Sequence, residues 1–373
     1  MVRVLHIREK LFTDGVTAFE INLMKHCDSN KVAFDYVVYK ETDRIKEVEQ
    51  LGGRCFVVTS KKKGIFKFLH RMYQLYKIVK KEKYNIIHVD TEISLRVIEL
   101  FVCKLAGAKV LILHSHNNAL NASGKKAKRD LMLHKLCKPL IPFVVNTYFA
   151  CSKEAGEWMF PNSVLRKNKV EVIKNSIDLE KFQYSEEIRN KVRRELELED
   201  AIVLGHIGRF SPQKNHGYII KLFNEFHNKY CNSKLILVGT GELVEDMKQL
   251  AKEYGLEKNI LFLGIRNDTQ EILSALDIFL FPSIFEGFGI VALEAQATGL
   301  PVMAATTIPT EVKINDNVSF ANLDDSMEYW IDCMEHLLAM PRVKGQEKIR
   351  RAGYDIHDLA RKMEELYTKF NGE

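Results

Sequence analysis

Residues 277–302 read Asp-Ile-Phe-Leu-Phe-Pro-Ser-Ile-Phe-Glu-Gly-Phe-Gly-Ile-Val-Ala-Leu-Glu-Ala-Gln-Ala-Thr-Gly-Leu-Pro-Val, a pattern that predicts a strand, a loop and then a helix. The apolar run Ile278–Phe281 predicts the buried strand. Gly287 and Gly289 precede a helix that we expect to begin near residues 288–290. Glycines at a helix start let a ligand approach free backbone N–H groups, which favour phosphate. This segment therefore predicts an anion-binding turn at the carboxyl end of a strand.

Two glutamates accompany this turn. Glu286 lies in the predicted loop, and Glu294 lies in the first turns of the predicted helix. A single glutamate near a helix N-terminus is most simply a partner of the helix dipole. The Glu-Gly-Phe-Gly turn between apolar flanks favours a binding role instead. Two carboxylates at this spacing can bind two separate hydroxyl-bearing parts of a nucleotide-sugar.

Short apolar runs alternate with helical patterns on both sides of this segment, which predicts parallel sheets covered by helices. The first series of predicted strands is Val2–Ile7, Phe34–Tyr39, Cys55–Val58, Ile86–Val89 and Val110–Leu113. The second series is Ile202–Ile207, Lys234–Val238, Ile260–Leu263, Ile278–Phe281 and Pro301–Ala304. We therefore predict two doubly wound α/β domains, which bind ligands at the carboxyl ends of their strands. We expect them over residues 1–175 and 176–354, with a helix at about 355–373 packing back on the first.

Composition excludes several classes of protein. The chain has 373 residues, of which 46% are hydrophobic and 28% are charged, as in ordinary globular domains rather than disordered ones. No uncharged apolar run has the length of a membrane span, and the first residues lack the apolar core of a signal peptide. The seven cysteines include no Cys-x-x-Cys pair. We therefore expect a reduced, cytoplasmic protein without a cysteine-based metal site.

The charge is distributed unevenly along the chain. Residues 1–175 hold 32 lysines and arginines against 17 acidic residues, a net charge of +15, whereas residues 176–373 carry −9. This asymmetry predicts an anionic partner for the first half, either a membrane surface or a nucleic acid. Uneven solubilising charge is the simpler alternative. Residues 61–81 form a basic amphipathic helix that either lies on anionic lipid or packs in the domain, and Lys125–Arg129 is a second basic cluster, expected in a loop.

Three other loops carry candidate chemistry. Arg209 and Lys214 follow the strand Ile202–Ile207, and two cations on one loop suit a diphosphate leaving group, although they are equally explained as exposed loop charges. Gly239 and Gly241 form a Gly-x-Gly turn after the next strand, which lacks a full dinucleotide fingerprint. His116 follows Val110–Leu113 and either contacts a sugar hydroxyl or is a structural residue at a strand end.

These segments together resemble the retaining glycosyltransferases of family 4, in their bacterial exopolysaccharide and capsule branch. Glu286 and Glu294 fit the E-x7-E motif of that family, and Arg209 and Lys214 fit its Arg/Lys diphosphate pair. Further segments that resemble family elements are His114–His116, Cys151–Phe160, Val172–Phe182 and Ile308–Lys313. The resemblance implies the GT-B fold, in which two Rossmann-like domains face each other across a deep cleft.

The resemblance also implies a role for each matching residue. Glu294 would bind the ribose hydroxyls of the nucleotide, Glu286 the hydroxyls of the transferred sugar, and Arg209 with Lys214 the departing diphosphate. The remaining donor-site residues would be Gly287, Phe288, Gly289 and Ile290 through backbone N–H groups, Arg266 in the base-binding loop, and Gly239 and Gly241. His116 would face the sugar or the acceptor.

Two positions depart from the family pattern. The loop after the first strand has Gly15 where the family has two glycines, and the linker has Lys-Asn-Ser in place of Pro-Asn-Gly, which leaves Asn175 as the matching residue. Gly15 and Asn175 are therefore assigned to an acceptor or phosphate loop only by position.

The reaction implied is transfer of a hexose or N-acetylhexosamine from a UDP-sugar to a hydroxyl, with retained anomeric configuration. The resemblance also implies a lipid-diphosphate-linked saccharide acceptor at the cytoplasmic face of the membrane. Because the chain contains no Asp-x-Asp, we expect neither a metal nor another cofactor. A UDP-N-acetylglucosamine 2-epimerase on the same fold is the alternative enzyme. A nucleic-acid-binding protein is a remote alternative, since no recognition module is present and the second half is acidic.

Overall fold

The computed structural model describes residues 1–11, 15–117, 124–342 and 344–372. It divides into two compact units. Unit 1 consists of Met1–Ser176 and Ile356–Glu373, and unit 2 consists of Ile177–Asp355. Each unit contains one sheet in which all paired strands run parallel, as the alternation of apolar runs and helical patterns predicts.

The sheet of unit 1 has seven strands in the order β3-β2-β1-β4-β5-β6-β7. Its strands are β1 Val2–Arg8, β2 Val32–Val38, β3 Cys55–Val57, β4 Ile86–Thr91, β5 Val110–Ser115, β6 Thr147–Ala150 and β7 Val170–Val172. The strand order reverses between β1 and β4, and such a reversal is where doubly wound sheets bind ligands. The sequence predicts β1 to β5; β6 and β7 were not expected.

Helices cover both faces of this sheet. They are α1 Gly15–His26, α2 Arg44–Gln50, α3 Gly64–Glu82, α4 Val97–Leu105, α5 Gly124–Cys137, α6 Ile141–Val144, α7 Lys153–Met159, α8 Asn162–Leu165 and, from the end of the chain, Ile356–Gly372. Side chains alternate between the faces of a strand, so Val4 and Leu5 of β1 enter different cores. The expectation of a loop at Lys125–Arg129 is wrong, because these residues belong to α5.

Unit 2 repeats the architecture with six strands in the order β10-β9-β8-β11-β12-β13. The strands are β8 Ile202–Ile207, β9 Ser233–Val238, β10 Ile260–Gly264, β11 Ile278–Phe281, β12 Val302–Ala305 and β13 Val318–Ala321. The helices are α9 Glu186–Glu195, α10 His216–Lys229, α11 Val244–Glu253, α12 Thr269–Ala275, α13 Ile290–Ala297, α14 Met327–Leu338 and α15 Gln346–Arg351. The order reverses between β8 and β11, so the loops after these strands are adjacent.

The final helix, which we label α16 (Ile356–Gly372), packs against α1, β1, β2 and β4 of unit 1. Its apolar face, which includes the buried residues Leu359, Met363 and Tyr367, completes one core of that unit. Of the helices in the described part of the chain, none combines the length and the apolar character that crossing a membrane requires.

Candidate active site

The loops after β8 and β11 meet at the point where the strand order of unit 2 reverses. Lys214 and Glu286 form an ion pair there, with 2.6 Å between Nζ and Oε1. Both side chains are largely buried, at 17% and 8% exposure, and the Lys214 ammonium lies over the ring of Phe281. Asn215, in a left-handed conformation, donates from its amide to the carbonyl of Pro282. The structure thus brings together two residues that the sequence assigned to one site from separate motifs.

Helix α13 begins directly behind this pair. Gly289 precedes it with φ of 92°, and a Cβ atom at this position would lie 2.7 Å from Cε1 of Phe281. Only glycine fits both the backbone conformation and the space. Phe288 is buried and stacks on Tyr354 at 5.0 Å between ring centroids, while Gly287 and Ile290 are half-buried. The turn therefore holds the first residues of α13 in a fixed orientation beside Glu286.

Glu294 follows Ile290 by one helical turn and is half-buried. None of the residues that the structure describes forms a hydrogen bond with its side chain. Burial raises its pKa to about 7, and the Lys181 ammonium partly offsets that effect. A carboxyl group in this position can accept hydrogen bonds from a pair of hydroxyl groups.

The guanidinium of Arg209 is paired with a different carboxylate. Its side chain is 72% exposed and Nη2 donates to Oε2 of Glu242 at 2.9 Å. The other predicted cation, Arg266, is bound to Asp268, with 2.8 Å between Nε and Oδ1, and this contact lowers the pKa of the Asp268 carboxyl. Both arginines therefore have acidic partners that a phosphate or a base would have to displace.

Gly239 and Gly241 lie too close to the backbone of the neighbouring loop to carry a side chain. A Cβ atom on Gly239 would lie 2.0 Å from the carbonyl oxygen of Gly208, and one on Gly241 would lie 2.3 Å from that of Phe210. The backbones after β8 and β9 are therefore in direct contact. Helix α11 begins only at Val244, so the Gly-x-Gly turn does not open it directly.

In unit 1, His116 is part of a buried cluster at the carboxyl ends of β1, β4 and β5. Its Nε2 lies 2.7 Å from Oδ1 of Asp90, which His114 also reaches through Nδ1 at 3.1 Å. His6 approaches Oδ2 of Asp90 through Nδ1 at 3.1 Å. His88 lies between these groups and bonds through Nδ1 to the hydroxyl of Tyr367 at 2.7 Å.

Burial determines the protonation of this cluster. It lowers the pKa of His88 well below its usual range and that of His114 to about 4, so both rings are neutral at pH 7. Burial alone would raise the pKa of Asp90, but His88, His114 and His116 together hold it well below its usual range. Although ligand atoms of Asp90, His114 and His116 lie within 4.8 Å of one another, the contacts to Asp90 have the lengths of hydrogen bonds.

The two positions assigned to an acceptor or phosphate loop differ from each other. Gly15 is the first residue of α1 and is exposed, with open space where a Cβ would lie. Asn175 follows β7 and is half-buried, and its Oδ1 has no hydrogen-bond partner among the described residues. Among the described interactions, neither Gly15 nor Asn175 contacts the His116 cluster.

Sequence reasoning missed Asp90 and Glu242. Asp90 directly follows the predicted strand Ile86–Val89. An acidic residue immediately after a buried strand is the signal that would have found it. Glu242 directly follows the Gly-x-Gly turn, but nothing in the linear sequence connects it with Arg209.

Two family models match the chain. "Glycosyltransferase Family 4" matches residues 13–181 and "Glycosyl transferases group 1" matches residues 187–356, so the two matches correspond to units 1 and 2 and leave few residues unmatched.

Two curated relatives match over most of their length. The putative glycosyltransferase EpsF of Bacillus subtilis is 28% identical over 361 residues, which cover 95% of this chain and 93% of EpsF. A UDP-Gal:alpha-D-GlcNAc-diphosphoundecaprenol alpha-1,3-galactosyltransferase of Escherichia coli is 26% identical over 82% of this chain and 79% of that protein.

Solved structures share the fold. HepE of Anabaena, crystallised with UDP-glucose, superposes with a TM-score of 0.80 at 18% identity and covers 99% of this chain and 100% of its own. WaaG, a glycosyltransferase involved in lipopolysaccharide biosynthesis, superposes with a TM-score of 0.70 at 16% identity over 98% of this chain and 99% of its own.

Proposed function

The chain belongs to the family 4 glycosyltransferases of the GT-B fold, and from this premise we propose that it moves a hexose or N-acetylhexosamine from a UDP-sugar to a saccharide hydroxyl with retention. The observation that carries the proposal is the buried Lys214–Glu286 pair beside the start of α13, one turn before the unpartnered carboxyl of Glu294. An ammonium, a helix N-terminus and two carboxyl groups at one sheet edge suit a sugar linked to a diphosphate.

We assign the roles as follows. Glu294 accepts hydrogen bonds from the ribose hydroxyls, and Glu286 accepts them from hydroxyls of the transferred sugar. The main barrier is the charge that develops on the diphosphate as the glycosidic bond breaks, and Lys214, which Glu286 holds in place, supplies a cation to stabilise that charge. Arg209 joins it by exchanging Glu242 for a phosphate oxygen. With these two cations and the N–H groups at the start of α13, the reaction needs no metal.

The acceptor that we propose is a saccharide on a lipid diphosphate. The Escherichia coli relative is named for such an acceptor, and a Campylobacter jejuni relative that is 31% identical over 152 residues carries a diphospho-undecaprenol acceptor in its name. Acceptors of this kind are held in a membrane. A transferase that acts on such an acceptor would therefore be helped by a surface that docks on lipid.

Helix α3 supplies a surface of that kind in unit 1. Ile65, Phe66 and Leu69 are more than half exposed, and Lys61–Lys63 precede them. Helix α3 packs on α4 and α4 packs on α6, where Phe143 is 78% exposed. Exposed apolar side chains among lysines fit the boundary of an anionic bilayer. We therefore propose that unit 1 docks on the cytoplasmic face of the cell membrane.

The first experiment is thermal unfolding with a panel of UDP-, GDP- and ADP-sugars. A ligand at 100 times its Kd stabilises the native state by about 2.7 kcal/mol. We expect a shift with UDP-sugars only, and its loss in Glu294→Ala. Glu257→Ala, which changes an exposed glutamate of the same unit, is the matched control and should keep the shift.

The other outcomes separate the alternatives. Conversion of the UDP-sugar to an epimer without an acceptor would replace the transferase by an epimerase. A shift with GDP- or ADP-sugars would correct the donor, and an unchanged shift in Glu294→Ala would remove the ribose role of that residue.

A further inference from the structure

Asp90 lies at the end of β4, where the strand order of unit 1 reverses, and it joins three imidazole rings. Its Oδ1 receives Nε2 of His116 at 2.7 Å and Nδ1 of His114 at 3.1 Å, and its Oδ2 receives Nδ1 of His6 at 3.1 Å. The Asp90 side chain is 1% exposed. In a sheet core, a carboxylate with three imidazole partners imposes one orientation on each ring.

We propose that Asp90 is a positioning residue that holds His116 as the Nε2–H tautomer, so that Nδ1 is left as a hydrogen-bond acceptor for a sugar hydroxyl. This inference rests on the proposed function, in which His116 contacts the donor sugar or the acceptor. It assigns the chemistry of that contact: Nδ1 of His116 accepts a hydrogen bond from the hydroxyl and does not donate one.

The tautomer follows from the chemistry of the two groups. An ionised carboxylate has no proton to donate, so the His116 nitrogen at 2.7 Å from it must carry a hydrogen. In the neutral tautomer that we propose, the second nitrogen of the ring is then an acceptor. The pKa of Asp90 lies well below its usual range because of its histidine partners, which keeps the carboxylate ionised at neutral pH.

The free acceptor is present in the structure. Nδ1 of His116 is buried and has no hydrogen-bond partner among the described residues. The ring is held from the side by His114, at 4.0 Å between centroids, and by Phe19 at 5.5 Å. Nε2 of His6 and of His114 are also unpartnered, but both residues lie within strands, whereas His116 lies beyond the last residue of β5. His116 is therefore the member of the cluster placed to meet a ligand.

A purely structural role for Asp90 is the competing explanation, and the tautomer of His116 distinguishes the two. Nuclear magnetic resonance of ¹⁵N-histidine-labelled protein identifies which ring nitrogen carries hydrogen, without any substrate. We expect Nε2–H for His116 in the wild type and a mixture of tautomers in Asp90→Leu. A wild-type His116 protonated at Nδ1 would overturn the proposal, whatever the variants do.

Kinetics supply the second readout, measured as UDP release when water takes the sugar from UDP-glucose, UDP-galactose or UDP-N-acetylglucosamine. We expect Asp90→Leu to lower kcat about 10- to 100-fold with little change in KM, by analogy with the outer partners of metal-bound histidines. Asp90→Asn should recover most of the rate, because its amide oxygen can face His116 while its nitrogen faces His6. Equal kcat in wild type and Asp90→Leu would overturn the proposal.

Asp35→Leu is the matched control. Asp35 is a fully buried carboxylate on β2 whose partners are Arg3, Arg54 and Tyr84. Its loss should lower stability while leaving the His116 tautomer and kcat unchanged. If Asp90→Leu fails to fold, the tautomer of His116 in the wild-type spectrum and the kcat of Asp90→Asn still test the proposal. If the wild type releases no UDP without a saccharide acceptor, thermal unfolding with the same UDP-sugars tests the proposed function separately, and the spectrum tests whether Asp90 sets the tautomer of His116.

Discussion

The burial of Glu294 disfavours ionisation of its carboxyl group but leaves that group able to bind a ligand. A carboxyl group with no described hydrogen-bond partner, half-buried on an apolar helix, disfavours its own ionisation and raises its pKa to about 7. A ligand that donates two hydroxyl hydrogens would stabilise the ionised form. Binding and ionisation of this residue should therefore be linked.

Binding of UDP-glucose should consequently strengthen as pH rises through 7. Between pH 6 and pH 8 the ionised fraction of a group with a pKa of about 7 rises roughly tenfold, and the affinity should rise by about the same factor. Calorimetric titration measures this directly, and the diphosphate of UDP-glucose does not itself titrate in that range. Glu294→Gln should bind more weakly, with a flat profile. The same slope in the variant would contradict the assignment.

At this scale the sequence points to candidate residues but not to the partners that those residues contact. Glu286, Lys214 and Glu294 follow from glycine turns and strand ends that can be recognised locally. The pairing of Arg209 with Glu242 and of His116 with Asp90 depends on which strands are neighbours and on how each side chain is directed. Neither quantity is encoded within a short window of sequence.

Among the elements, an uninterrupted apolar run decides which of the short strands the sequence predicts. The ten predicted strands are present, with boundaries that differ by no more than two residues. The three that were missed, β6, β7 and β13, have three or four residues each and lie at or next to the last-placed edge of their sheets. The strands β3, β11 and β12 are equally short but wholly apolar, whereas each missed strand contains a polar residue and so shows neither an apolar run nor a period.

Helix α3 is an element whose pattern fits two roles. Met72, Leu75 and Val79 are buried in unit 1, which satisfies the packing role that the amphipathic pattern predicted. Ile65, Phe66 and Leu69 are exposed all the same. Packing does not require these apolar side chains to be exposed, and they are the part of the pattern that the proposed lipid docking would explain.

Replacing Lys61, Lys62 and Lys63 by glutamate should weaken binding to vesicles of phosphatidylglycerol and phosphatidylcholine. Each lysine near an anionic surface contributes about 1 kcal/mol, so the loss should be at least about 100-fold in partition coefficient. Sedimentation with vesicles measures it. The matched control reverses Lys248, Lys252 and Lys258 of unit 2 and should bind as the wild type does. Wild-type protein that ignores such vesicles at low salt would contradict membrane docking.

For the molecule as a whole, the path of the chain between the two units determines which residues stabilise unit 1. Unit 1 is made from the two ends of the chain, and unit 2 lies between them. Helix α16 contributes Met363 and Tyr367 to a core otherwise built from the first part of the chain. The stability of unit 1 therefore depends on residues that follow unit 2 in the sequence.

Met363→Ala should lower the unfolding free energy of unit 1 by about 2–5 kcal/mol, because it leaves a cavity under α16. Hydrogen exchange read by mass spectrometry should show faster exchange in β1, β2 and β4 and unchanged exchange in unit 2. Lys362→Ala, on the same helix, removes only a partly exposed pair with Glu171 and should cost less than about 1 kcal/mol. Uniformly faster exchange in both units would contradict the assignment of α16 to unit 1.

The return of α16 to unit 1 also sets the order of events during synthesis on the ribosome. The nascent chain exposes the strands of unit 1 first, but the helix that covers Val4, Phe34 and Ile86 emerges only after residues 177–355 have been made. At 5–20 residues per second that interval is roughly 10–40 s. During that time one apolar face of the unit 1 sheet is exposed to water or bound by a chaperone. The unit translated second is thus the first whose residues are all available to fold.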